Sequence, residues 1–144
     1  MYVIVFTTEN TLIDRDFIDR RLSEISEALK YIGEILREGE EEFVRNYKSR
    51  LALRHLILMV VESAASIAIY ILAEKFEEKA ESYSEAFEKL SYYGVLSSKI
   101  ASEMISLARL RNLIVHRYWS IDDIRIYRNL GIREYPLSRS LLRR

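Results

Sequence analysis

Only two histidines occur in this chain, His55 and His116, and there is no cysteine. Imidazole is the side chain best matched to proton transfer near neutral pH, so acid–base chemistry would start from one of these two. The missing thiols remove disulfides, thiolate nucleophiles and Cys-ligated zinc, and they suit a reducing, cytoplasmic setting. His55 follows Arg54 in an apolar stretch with no carboxylate close in sequence, and reads as a structural or surface residue. His116 lies in Arg111-Asn112-Leu113-Ile114-Val115-His116-Arg117-Tyr118, which gathers a guanidinium, a carboxamide, an imidazole and a phenol within eight residues. On a regular helix Asn112 and His116 share a face, whereas Arg111 and His116 stand about 140° apart. Those two diverge in one protomer unless the helix ends before His116 or two protomers meet across a twofold axis. Taken alone, the spacing reads first as a capped helix end with a surface histidine.

Charge supplies a second signal. The chain is formally neutral, yet residues 109–144 hold nine arginines against three acids, a net +6, and the first 108 residues carry −6. Arginine binds phosphate by paired hydrogen bonds as well as by charge. Either the acidic body and the arginine-rich quarter pair with each other, within or between subunits, or the quarter faces a polyanion. Both readings stay open at this point.

The elements that must position these residues follow from periodicity. At 144 residues and 49% hydrophobic the chain makes about one globular domain with a real core. Phe17, Ile18, Leu22, Ile25, Leu29, Ile32 and Leu36 recur three or four apart, which predicts a first helix from Asp14 to Arg37, with Gly39 just past its end. Glu40-Glu41-Glu42 opens a second, long helix reaching Phe76, nearly apolar all round from Leu56. Its apolar run ends at Ala73 but carries Glu62, Ser63 and Ser66 in its middle. A central carboxylate costs about 2.5–3.5 kcal/mol in a bilayer, so this is a buried core helix and no membrane span is expected. Ser82 and Glu85 form a capping box for a third helix closing at Tyr93-Gly94. Ser97 or Ser98 caps a fourth, with Ile100, Met104, Leu107, Leu110, Leu113 and Ile114 toward the core. Asp122 caps a fifth, Asp123 to Leu130, closed by Gly131. Residues 1–6 alternate weakly like a strand and read as an arm, too short and without the basic residues of a secretion signal. The fold class is therefore all-α, an antiparallel four- to five-helix bundle, with a domain over residues 1–132 and an Arg-rich tail over 133–144. Abundant Glu, Lys, Arg and Ile with no Gln hint at a thermophilic source.

The run Arg111 to His116 matches the R-x4-H motif of HEPN ribonucleases, and Tyr118 extends it to R-x4-H-x-Y, which resembles the HepT toxins. Other segments resemble the family too: Glu62 to Ala68 its core helix, Glu81 to Phe87 and Gly94 to Leu96 its middle connection, and Tyr118 to Asp122 the segment after the motif. The resemblance spans roughly residues 10 to 130. It implies a HEPN-like homodimer, or a larger assembly, that cleaves RNA without metal or other cofactor at a composite site on the dimer interface. His116 would move protons, Arg111 would hold the scissile phosphate, and Asn112 would orient His116 or bind phosphate. It implies a type VII toxin–antitoxin system in which a minimal nucleotidyltransferase resembling MntA transfers AMP to Tyr118. Glu62, a carboxylate on an apolar helix, should be paired; it either salt-bridges Arg111 and aims it or satisfies a structural arginine. Asp122 is first a helix cap and only secondarily a site residue. Two other functions fit the same residues: a non-catalytic helical module that binds and regulates a nucleotidyltransferase or nucleotides, and a basic-tailed nucleic-acid-binding protein.

Overall fold

Asp14 starts the first helix, α1 (Arg15–Arg37), by accepting the Phe17 N–H at 3.0 Å. The structure, a computed structural model, describes residues 13–132; the expected arm at residues 1–6 and the tail at 133–144 lie outside them. The described residues form six α-helices and one 3-10 turn, in keeping with the all-α expectation: α1, α2 (Glu40–Arg45), α3 (Tyr47–Phe76), α4 (Tyr83–Tyr92), α5 (Ser98–His116), the turn Tyr118–Ser120 and α6 (Asp123–Ile132).

One expectation fails at Asn46. The long helix expected from Glu40 to Phe76 is two helices, because Asn46 leaves the helical region (φ −98°, ψ 95°) and its side chain accepts the Ser49 N–H at 3.2 Å. A short carboxamide that can bond its own backbone competes with the helix and favours a cap. Gly39 opens α2 with φ 90° and ψ 154°, a backbone setting essentially reserved for glycine. The break turns α2 so that Phe43, fully buried, stacks on Tyr127 of α6 with ring centroids 4.5 Å apart. Tyr127 donates its hydroxyl to Leu36 O at 2.8 Å, and Arg128 pairs with Glu40 at 2.6 Å. The α2 break is thus the seat of α6.

Helix α3 is the centre. It is the one described helix long and apolar enough to cross a membrane, but it is mostly buried, between α1 on one side and α4 and α5 on the other. Ala28 of α1 is fully buried and lets α1 approach α3 closely. The polar ties Asp14–Tyr70, Glu24–Ser63 and Glu38–Ser49 descend along the pair, so α1 and α3 are antiparallel. Glu77 then ends α3 in the left-handed region (φ 53°), and the connection 77–82 doubles back. Tyr83 at the start of α4 therefore reaches Glu62, while Tyr93 just past its end stacks on Phe76 at 4.1 Å. Helix α5, capped by Ser97, returns antiparallel to α3.

Two further corrections concern α5 and α6. Leu113, expected to face the core, is exposed and lines an open groove of about 430 Å³ between α5 and α6, because α6 leans toward α2 and leaves that face uncovered. Gly131 does not close α6: the helix continues through it to Ile132, and its φ is not positive. Phe43→Ala is expected to lower unfolding stability by about 3–5 kcal/mol in urea titrations, by opening a cavity under α6. A loss under 1 kcal/mol would show that α6 does not depend on this seat.

Candidate active site

Helix α5 carries the motif on its last two turns and ends at His116 itself; the Arg117 N–H closes the final turn on Leu113 O at 2.8 Å. The helix is regular to its last residue, so the possibility that it stops short of His116 is ruled out. Within one chain Arg111 and His116 point apart by about 140°, and His116 is exposed with no hydrogen-bond partner among the described residues.

Arg111 is held from two sides. Its Nε donates to Glu62 Oε1 at 2.7 Å across the α3–α5 contact. Its guanidinium carbon lies over the Tyr83 ring, 5.2 Å from the centroid. Tyr83 in turn donates its hydroxyl to Glu62 Oε2 at 2.6 Å, so one carboxylate fixes both the cation and the ring beneath it. The carboxylate hydrogen bond and partial burial raise the Tyr83 phenol above its ordinary value, so it remains a protonated donor near neutral pH. Asn112 accepts from Arg111 Nη1 at 3.1 Å, and its carboxamide therefore serves Arg111 rather than His116. Arg111 Nη2 has no partner among the described residues. The guanidinium is anchored through Nε and Nη1 and stacked on one face, which leaves Nη2 to meet a phosphate oxygen.

A second arginine fixes the segment after the motif. Arg54 donates Nε and Nη2 to the two carboxylate oxygens of Asp123 at 2.7 and 2.8 Å, and Nη1 to the Tyr118 carbonyl at 3.1 Å. The hydrogen bond to Asp123 raises the already high Arg54 pKa, so the guanidinium stays charged. The side chains are only 20% and 12% exposed, which places this pair above the weak surface class. Ser120 adds two bonds to Arg117 O, from its N–H and its hydroxyl, both at 2.9 Å. Tyr118 thus sits on a fixed turn with its side chain 62% exposed.

The remaining candidates separate. Asp122 caps α6, accepting the Arg125 N–H at 3.1 Å, and makes no contact with Arg111 or His116. His55 is exposed. Arg111, Arg128 and Arg54 are paired with acids, whereas Arg109, Arg117 and Arg125 have no ion-pair partner among the described residues. The pairing of the Arg-rich quarter with the acidic body thus holds for Arg111 and Arg128. Among the described residues no three His, Asp or Glu side chains converge in a way that could hold a metal ion. Sequence reasoning missed Tyr83, Arg54 and Asp123. Tyr83 stood inside a capping box and read as a boundary, and Arg54 pairs across 69 residues with no local signal.

Comparison with known proteins identifies the fold and the family. The fold is that of HEPN toxins: the chain superposes with a TM-score of 0.76 on the tri-AMPylated Shewanella oneidensis HEPN toxin solved in complex with its MNT antitoxin, at 17% identity over 87% of this chain and 91% of that one. A toxin–antitoxin structure with AMP-PNP matches equally, with a TM-score of 0.76 over 87% and 92%. The model of the family described as "Ribonuclease HepT-like" matches residues 25–141. The chain is also 25% identical over 129 residues to the tRNA nuclease HepT of Aphanizomenon flos-aquae (strain 2012/KM1/D3), covering 88% of each chain. The chain belongs to the HepT-like ribonuclease family.

Arg54→Ala would strand a largely buried carboxylate, and is expected to cost about 1–3 kcal/mol. Asp123→Ala added to it should recover part of that loss in a double-mutant cycle. Additive losses would mean that the pair carries no coupling.

Proposed function

We propose that this chain is the toxin of a type VII toxin–antitoxin system, a cytoplasmic endoribonuclease that cleaves RNA without a metal ion, with tRNA as the first substrate to test. The observation that carries the reading is Arg111 anchored by Glu62 and Tyr83 with Nη2 left over, five residues before an exposed His116 whose side chain has no partner among the described residues. The relative named a tRNA nuclease supports the substrate class.

The chemistry follows from these groups. The RNA 2′-hydroxyl is an internal nucleophile, so no metal-bound water is required. One His116 takes the 2′-hydroxyl proton as the oxygen attacks phosphorus. Arg111 offsets the charge on the phosphorane. A second His116 protonates the departing 5′-oxygen, leaving a 2′,3′-cyclic phosphate and a 5′-hydroxyl. Because Arg111 and His116 diverge within one chain, the site is completed by a second copy across a twofold axis.

Tyr118 is the control point of the proposal. Its exposed phenol attacks the α-phosphorus of ATP in the active site of a partner nucleotidyltransferase; pyrophosphate leaves, the phenolic proton is lost and Tyr118 carries AMP. The added phosphate would place negative charge and bulk beside the motif arginines and repel RNA. The tri-AMPylated state of the Shewanella toxin supports this step.

With EDTA present, the purified chain should still cut RNA to cyclic-phosphate ends, and His116→Ala should abolish cleavage. Arg111→Ala is expected to reduce the cleavage rate about 10²–10³-fold. Unchanged cleavage by His116→Ala would remove His116 from the reaction. Co-expression with a nucleotidyltransferase should add AMP mass to the parent and none to Tyr118→Phe, which should still cut RNA. AMP found only at another tyrosine would refute the assignment of Tyr118.

A further inference from the structure

Trp119 is the only tryptophan in the chain, and 72% of it is exposed. An indole held in water forfeits about 1.5–3 kcal/mol of the burial that large apolar side chains usually gain. Mobility does not account for the exposure. The turn that carries it is tied by Arg54 to the Tyr118 carbonyl and by Ser120 to Arg117 O. Tyr118 meets the indole edge-on, with centroids 5.2 Å apart and planes at 80°, a T-shaped contact that does not cover both ring faces. Within the described residues the indole has no hydrogen-bond or cation partner. It lies three residues past His116 and two past Arg117, whose side chain is exposed without an ion-pair partner.

We propose that Trp119 is a base-stacking subsite: it holds an unpaired RNA base flanking the phosphodiester that Arg111 and His116 address. The inference rests on the ribonuclease reading above and extends it to how the substrate is recognised. Single-stranded RNA is gripped by aromatic planes that stack on splayed bases beside cations that take the phosphates. An indole on a fixed turn, two residues from an arginine without an ion-pair partner among the described residues, supplies both parts. A protein partner would also use an exposed tryptophan. Arg109, Arg117 and Arg125 on the same α5–α6 segment, which have no ion-pair partner among the described residues, favour a polyanion. The subsite selects loops and unpaired ends over duplexes, because a base stacked in a helix cannot reach the indole.

As the sole tryptophan, Trp119 reports on itself. The probes are a 2′-O-methyl single-stranded oligoribonucleotide, which lacks the nucleophile, and its duplex form. The single strand should quench the fluorescence of the full chain and the duplex should not. In cleavage assays Trp119→Leu should raise KM about 5- to 100-fold, and Trp119→Phe should stay near the parent. If the parent cuts no RNA, the ribonuclease reading fails. If the parent cuts while Trp119→Leu matches it and the single strand leaves the fluorescence unchanged, the stacking subsite fails alone. A buried-type, blue-shifted emission in the free protein, with dissociation of oligomers on Trp119→Leu, would assign the indole to contact between copies and overturn the proposal.

Discussion

The contact on which the rest depends is the Glu62–Arg111 ion pair between α3 and α5. Glu62 is 44% and Arg111 23% exposed, so the pair contributes little to stability, on the order of 1 kcal/mol or less. Its consequence is orientation. Arginine is a long side chain with roughly 2 kcal/mol of rotamer entropy to lose. Held through Nε and Nη1 and laid on the Tyr83 ring, it presents Nη2 at a defined place. A phosphate then meets a guanidinium already aimed, and ordering does not have to occur during the reaction.

The fold serves that contact. Helix α3 is buried on its apolar sides and admits one carboxylate where α4 and α5 converge, and the doubled-back connection 77–82 brings Tyr83 to the same point. On the other side of the motif, the Asn46 break and the Phe43–Tyr127 stack seat α6, which carries Asp123 to Arg54. Arg54 then fixes the turn after His116. The motif is clamped at both ends from a single helix, by Glu62 below and Arg54 above, so α3 is its ruler. The divergence of Arg111 and His116 on a regular α5 is the geometric reason to expect a second copy.

Local signals were legible in the sequence. The caps at Ser82 and Asp122, and Ser97 as one of two candidates, were readable from side-chain type and the following hydrophobic run, and all three make the expected bond. The R-x4-H-x-Y run gave Arg111, His116 and Tyr118, and the lone carboxylate of the apolar helix pointed to a pairing for Glu62. Long-range facts were not legible. Asn46 offers a local cap, but the gain that lets the break win over a continuous helix is tertiary: the burial of Phe43 under α6. Leu113 fits the core stripe by spacing, yet no described element covers it. Tyr83, Arg54 and Asp123 have partners 21, 64 and 69 residues away, and spacing along a helix carries no trace of them.

The most direct measurement is single-turnover RNA cleavage by Glu62→Ala beside its unfolding curve. Loss of the anchor should leave the fold close to the parent and slow cleavage about 10²-fold, the scale of a reacting group displaced by about 1 Å, with Glu62→Gln, which can still accept hydrogen bonds, between the two. A Glu62→Ala protein that is folded and cleaves at the parental rate would contradict the account.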